Sequence, residues 1–296
     1  MKKAGRRQSL PDRTDAMDNS YGLLHVQEAN LRILREIHRI SEKFRIPYAL
    51  DSGTLLGAIR HGGFIPWDDD ADIVMTRNSF EAFRKVAKRE LPEDMHLLLP
   101  DSFAKGSRFY DFVPRVILDS SRRHLPDDES TFYEEKLNHL WVDIFILDRM
   151  PDNDAEARLL FLRQKAVYLF SMGHRQKLSM ERYPKHLRLP IAGGSRAGKL
   201  LPMKGLFREQ QKLSAAYGGR KTERWYYSNY DPQYWHIRLL DSWVKEHIKI
   251  RFEDTILEIP KHYDEILKLV YGNYMELPPK EDRIPSHGSR EIEIYG

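Results

Sequence analysis

The chain has 296 residues, with 48 Lys and Arg against 44 Asp and Glu, and no cysteine. At roughly 150 residues per domain this length gives one large domain or two modest ones with a real core. A disulfide framework, a thiolate nucleophile and a cysteine-held zinc or iron–sulfur site are excluded. A formal charge of +4 and a sequence pI near 9.0 are too mild to imply nucleic acid as a partner. They suit a soluble enzyme that handles phosphates near an anionic membrane face.

Residues 1–19 carry Lys2, Lys3, Arg6 and Arg7 without an apolar period and read as a disordered basic tail. SLPDRTDAMDNS stands where the apolar core of a signal peptide would have to be, and no window approaches the ~18 apolar residues of a membrane span. A cytoplasmic address is the expectation. From Leu23, apolar residues at Leu24, Leu31, Leu34, Ile37, Ile40 and Phe44 predict an amphipathic helix ending before Pro47. Residues 48–51 read as a short strand broken by Gly53, residues 54–60 as a short helix, and His61-Gly62-Gly63 as a turn. A strand over 71–75 and a helix over 80–87, capped by Asn78 or Ser79, come next. Further strands are predicted over 109–118 and 141–147, then a long helix over 154–178. Residues 183–222, rich in Gly, Lys, Arg and Pro, are undetermined, and a helical period returns at 263–270.

The chemistry concentrates between Asp51 and Met75. Asp70 and Asp72 sit two apart where a strand starts, so their carboxylates project from one face, roughly 7 Å apart. Such a pair repels, and a divalent cation such as Mg²⁺ between it and a phosphate relieves the repulsion. A solvated acidic turn formed by Asp68, Asp69, Asp70 and Asp72 is the plainer alternative. Upstream, Gly53-Thr54 ends a strand and opens a helix, where backbone N–H groups and the Thr54 hydroxyl can face an anion. Together these halves suit metal-assisted movement of a phosphoryl or nucleotidyl group. Asp143, a lone charge in the apolar run 140–147, is costly unless paired or coordinated. It is the candidate third carboxylate, as metal ligand or as base for an attacking hydroxyl; pairing with a structural arginine is the alternative.

The stretch GTLLGAIRHGGFIPWDDDADI resembles the hallmark of the LicD family, which includes bacterial phosphocholine transferases and, more distantly, fukutin and fukutin-related protein. Residues 141–145 are similar to the family's downstream Asp-containing strand, and YGNYMELPPKEDRIPSH (271–287) to its C-terminal box. The resemblance implies an α+β fold, a nucleotidyltransferase-like mixed sheet flanked by helices. Residues 20–182 would form the catalytic core, and residues 183–296 a helical, aromatic-rich C-terminal part packed on it. It implies transfer of a phospho-alcohol such as phosphocholine from a CDP-activated donor to a sugar hydroxyl of a cell-surface glycan or its lipid-linked precursor, with release of CMP. Asp70 and Asp72 map onto the ligands of Mg²⁺ or Mn²⁺, Asp143 onto the third acid and Gly53-Thr54 onto the glycine turn. Asp68 matches a further hallmark Asp, and Ala71 replaces the usual Ile or Val. Arg60 and Arg115 would pair with phosphate oxygens through a planar fork, or else neutralise the acids. The expected partners are the CDP-linked donor and the glycan acceptor, without nucleic acid, and with peripheral contact at the inner face of the plasma membrane.

Three signals stand apart. Residues 193–199 have the spacing G-x-x-x-x-G-K, but Leu200 fills the Ser/Thr slot and no strand leads in, which predicts a flexible basic loop at the site's rim rather than a phosphate loop. Trp225, Tyr226, Tyr227, Tyr230, Tyr234 and Trp235 suit a cage for a quaternary ammonium or ordinary packing. His287 and Arg283 are candidates to line the site. A nucleotide-sugar glycosyltransferase, which also uses Asp-x-Asp, and a non-catalytic binder on the same fold are the rival readings.

Overall fold

The computed structural model describes residues 21–285 and 292–295; the basic tail and His287 lie outside the described residues. Helix α1 (Leu24–Phe44) buries the stripe Val26, Ile33, Leu34, Ile37 and Ile40, and Arg45 ends it in the left-handed conformation ahead of Pro47. Next come β1 (Ala49–Leu50), α2 (Ser52–Arg60), β2 (Asp72–Thr76), α3 (Arg77–Glu90), β3 (Met95–Leu98), β4 (Arg115–Leu118), β5 (Ser121–Arg123) and α4 (Asp127–Phe132). The long strand β6 (Leu140–Met150) leads to α5 (Asp154–Ser171), α6 (Lys185–Gly198) and α7 (Met203–Ala215). The chain closes with β7 (Arg224–Tyr227), β8 (Arg238–Leu240), α8 (Asp241–Lys245), β9 (His247–Phe252), β10 (Thr255–Pro260), α9 (Tyr263–Tyr271) and β11 (Ile292–Ile294).

The fold is α+β. Seven strands form one mixed sheet in the order β1-β2-β6-β4-β3, with β7 also on β6 and β8 on β7. β2 and β6 run parallel, and the other pairs are antiparallel. Buried on both faces, β6 reads as a nearly unbroken apolar run. Its one edge is shared: β4 takes residues 140–143 and β7 takes 147–150. The gap is closed by the buried side chain of Asn229, which accepts from Ile146 N–H at 2.7 Å and donates to the Ile144 carbonyl at 3.0 Å. A backbone edge that would otherwise be orphaned is thereby satisfied.

Four expectations need correction. The strand predicted over 109–118 covers only Arg115–Leu118, because Pro114 lacks an N–H and Asp111 turns the chain by accepting from Val113 N–H at 2.9 Å. The cap of α3 is Thr76, which accepts from Ser79 N–H, rather than Asn78 or Ser79. The long helix stops at Ser171 and passes into a 3₁₀ turn, Met172–His174. The expected basic loop is helical: residues 193–199 lie in and just past α6. Its glycines serve close packing, since a Cβ on Gly198 would lie 2.1 Å from the Phe170 carbonyl oxygen and one on Gly194 2.5 Å from Leu169 Cδ2. The C-terminal part contains helices α6, α7 and α9, and also strands β7 to β11.

Candidate active site

Strand register builds the site. Asp72 on β2 lies opposite Asp143 on β6, and Asp143 lies opposite Arg115 on β4. On the other side Asp51, just past β1, donates its N–H to the Asp72 carbonyl at 3.1 Å. Residues level with one another on neighbouring strands point to the same face. The sheet therefore carries a row, Asp51, Asp72, Asp143 and Arg115, at the end where β2 begins. Asp70 does not share a strand face with Asp72 as its spacing predicts: β2 begins only at Asp72, and Asp70 sits in the preceding loop, from which it and Asp68 line the same pocket as Asp72.

A pocket of about 320 Å³ is lined by Asp51, Ser52, Gly53, Asp68, Asp70 and Asp72, and on its other walls by Tyr227, Tyr230, Tyr234, Ile266 and Tyr271; Asp143 and Arg115 stand next in the row, behind Asp72, and are not part of its lining. Burial, reinforced by Asp70, pushes the Asp72 and Asp68 carboxyls well above the ordinary carboxylate range. Burial likewise pushes Asp51 up to about 6, even though it accepts from the Tyr227 hydroxyl at 2.9 Å. Asp143 is also pushed up to about 6 by burial, against the pull of Arg115. A cluster that resists ionising in this way is short of positive charge. Asp68 Oδ2 is buried without a hydrogen-bond partner among the described residues. Packed against it is Gly53, where a Cβ would stand 2.6 Å from that oxygen. The donor set is all hard oxygen, which fits Mg²⁺ or Mn²⁺. Among the described residues, however, no three His, Asp or Glu side chains are already arranged around a single point for an ion.

The remaining predicted residues fall as follows. Thr54 is buried and accepts from Asp72 N–H at 2.9 Å, so its hydroxyl pins the start of β2 and does not face the pocket. Arg115 is buried, its guanidinium 2.6 Å from Asp111 and 2.8 Å from Asp143, between the rings of Tyr110 and Trp141. Burial opposes its charge, but Asp111 and Asp143 outweigh that and raise its pKa. Arg60 donates to the Tyr274 carbonyl at 3.0 Å and lies over Trp67, whose ring also carries Arg283. The C-terminal box is thus clasped to the hallmark loop, and its Tyr271 enters the pocket wall. Of the aromatic cluster, Tyr227, Tyr230 and Tyr234 face the pocket. Tyr226 and Trp235 pack with α5 and α7 residues, and Trp225 stacks on Arg149. A six-ring cage is therefore not formed. Tyr230 is itself flanked by Phe145 and Tyr234, each 4.2 Å away between ring centres.

Sequence reasoning passed over Asp51, Ser52 and Tyr271 as pocket residues. Asp51 carried a signal akin to that of Asp143, a charge adjoining an apolar strand rather than inside one. Ser52 (φ +48°) has none visible in sequence, since glycine is the residue that usually marks such a backbone.

A family model described as LicD/FKTN/FKRP, nucleotidyltransferase domain, matches residues 45–165, the segment that supplies Asp51, Asp68, Asp70, Asp72, Arg115 and Asp143. An uncharacterized protein of Rickettsia prowazekii is 29% identical over 122 residues, 41% of this chain and 40% of that protein. An uncharacterized protein of Rickettsia typhi is 41% identical over 74 residues, covering 25% of this chain and 24% of that protein. The lipopolysaccharide cholinephosphotransferase LicD of Haemophilus influenzae is 30% identical over 275 residues, 87% of this chain and 92% of that protein. With identity sustained across nearly the whole of both chains, this protein belongs to the LicD family.

Proposed function

We propose that the protein transfers phosphocholine, or a closely similar phospho-alcohol, from a CDP-linked donor to a sugar hydroxyl of a surface glycan or its lipid-linked precursor, releasing CMP. The observation that carries this reading is the carboxylate row, Asp51, Asp72 and Asp143, capped by Asp68 and Asp70 over a tyrosine-walled pocket. Asp70 and Asp72, with Asp68 beside them, would hold Mg²⁺ or Mn²⁺. When bound, that ion would offset negative charge on the donor's phosphates and on departing CMP.

The chain's own groups do the rest. Gly53, lacking a side chain, lets Asp68 close on the pocket. Thr54 fixes the register at which Asp72 enters the sheet. Arg115 engages Asp143 Oδ1, which orients the carboxylate and leaves Oδ2 as the atom assigned to take the proton of the acceptor hydroxyl. A carboxyl pushed up to about 6 is ionised at neutral pH and still basic enough for that role. Arg60, close enough to Asp68 to feel its charge, is assigned as the cation for the donor's phosphates. The faces of Tyr227, Tyr234 and Tyr271, backed by carboxylates, suit a quaternary ammonium group, for which each good ring contact contributes about 0.5–2 kcal/mol. The reaction belongs on the cytoplasmic side, where CDP-linked donors are made.

The test is incubation with a panel of CDP-alcohols, Mg²⁺ and a glycan acceptor, following CMP release and phosphorus NMR of the product. Asp70→Asn and Asp72→Asn are each expected to lower turnover by at least about 10³-fold, from loss of charge stabilisation, while circular dichroism stays that of the parent. Turnover retained in both variants, or release of a nucleoside diphosphate with sugar transfer, would sink the proposal.

A further inference from the structure

The chain's small net charge hides a strong separation. Residues 157–222, which include most of α5 and all of α6 and α7, hold 15 Lys and Arg against two Glu, whereas the other 230 residues hold 33 against 42. Helix α6 concentrates this on an open surface. Its glycines press one side against α5. Turned outward are Lys185, Leu189 and Arg196, followed by Lys199 and Leu200 just past the helix end; the two leucines are 84% and 86% exposed. Leu189, Arg196 and Leu200 recur at helical spacings of seven and four, so leucines and cations share one stripe.

Two leucines left almost wholly in water, more exposed than Leu159 and Leu162 of α5 at 59% and 66%, call for a partner with an apolar interior. The surrounding cations, none of them ion-paired to a carboxylate of the described residues, call for a partner with an anionic surface. Nucleic acid would satisfy the cations and leave the leucines wet. A bilayer containing anionic phospholipid satisfies both at once, since the leucines enter the boundary of the acyl region and the lysines and arginines sit among headgroup phosphates. From the helix's edge the framework runs on to the site. Arg175, just beyond α5, donates to the Tyr110 carbonyl at 2.9 Å, and Tyr110 stacks on Arg115, the partner of Asp143.

We infer that the outward stripe of α6, centred on Leu189, Arg196, Lys199 and Leu200, is a docking surface for the anionic phospholipid face of a membrane. It stands independently of the chemistry assigned to the pocket.

Flotation of the full chain with vesicles of phosphatidylcholine, with and without phosphatidylglycerol, over a salt series tests it. The parent protein is expected to float only with phosphatidylglycerol and to be released as salt rises. Arg196→Glu with Lys199→Glu should lower partitioning by about 25-fold or more, at roughly fivefold per positive charge lost. Leu189→Ser with Leu200→Ser should leave binding that lower salt disrupts. All four side chains are exposed, so melting temperature should match the parent in both double variants, and a chain lacking residues 2–19 should still float. Parent-like flotation of both double variants overturns the inference. So does flotation lost with residues 2–19 but kept in the charge variant, flotation indifferent to phosphatidylglycerol, or binding to a DNA fragment but not to vesicles.

Discussion

Arg115 is the residue on which the site's geometry turns. Its guanidinium holds Asp111 on one side and Asp143 on the other, and two aromatic rings sandwich it where water does not reach. A buried charge is tolerable only while its partners are present, and removing one member costs about 3–5 kcal/mol. Arg115→Met, which leaves two carboxylates facing each other, is therefore expected to lower unfolding free energy by about that much in a urea titration. Arg115→Lys keeps the charge but makes one point contact in place of a fork. It should recover most of the stability while turnover stays depressed, because Asp143 is no longer held at a fixed angle. Much of this site is legible in sequence, because Asp70, Asp72 and Asp143 are charges placed where strands begin or run. The two readings of Arg115 could not be parted there, since the choice depends on Asp111 and Asp143, one in a turn and one on the next strand. Asp51 was hidden by being taken as the last residue of its strand.

At the level of elements, α6 shows why composition misleads. Gly, Lys and Arg at 193–199 look like a loop, yet Gly194 and Gly198 stand where α5 passes too close for a side chain. Gly198→Val would drive a branched side chain into the Phe170 carbonyl. The expected result is faster hydrogen exchange and proteolysis confined to α6 and the end of α5, with β2 and β6 still protected. β7 was equally invisible, because RWYY is buried on both faces and lacks alternation. Helix α1, by contrast, announces itself through its stripe. It is tied to the sheet side of the molecule by Arg32, which donates to Asp94 at 2.6 Å and holds that carboxyl below the usual range. A carboxyl depressed in the folded state stabilises above its unfolded pKa of about 3.9, and that contribution is lost as pH falls through the folded value. Asp94→Asn should cost no more than about 1 kcal/mol at neutral pH, because Arg32 is half exposed. It should also flatten the fall of melting temperature as pH drops through about 4 and below.

Across the whole molecule, the two halves of the sequence share one sheet. β7 and β8 add to β6, the Asn229 side chain bridges β6 between its two neighbours, and α9 with Tyr271 supplies a wall of the pocket. A fragment ending at residue 182 would expose the Leu147–Met150 edge and the apolar faces that α7 covers. Such a fragment is expected to bind a hydrophobic dye and to unfold without a cooperative thermal transition, whereas the full chain should show a single one.

That borrowed strand also imposes a timetable on biogenesis. Between the emergence of β6 from the exit tunnel and that of β7, part of one β6 margin stays bare while residues 151–223 follow, and at about 5–20 residues per second the wait lasts roughly 4–15 seconds. Uncovered strand margins are what neighbouring nascent chains grip. Newly made copies should therefore need sheltering by a chaperone until Tyr227 has emerged, and overexpression that outruns such help should fill inclusion bodies with protein that is otherwise sound.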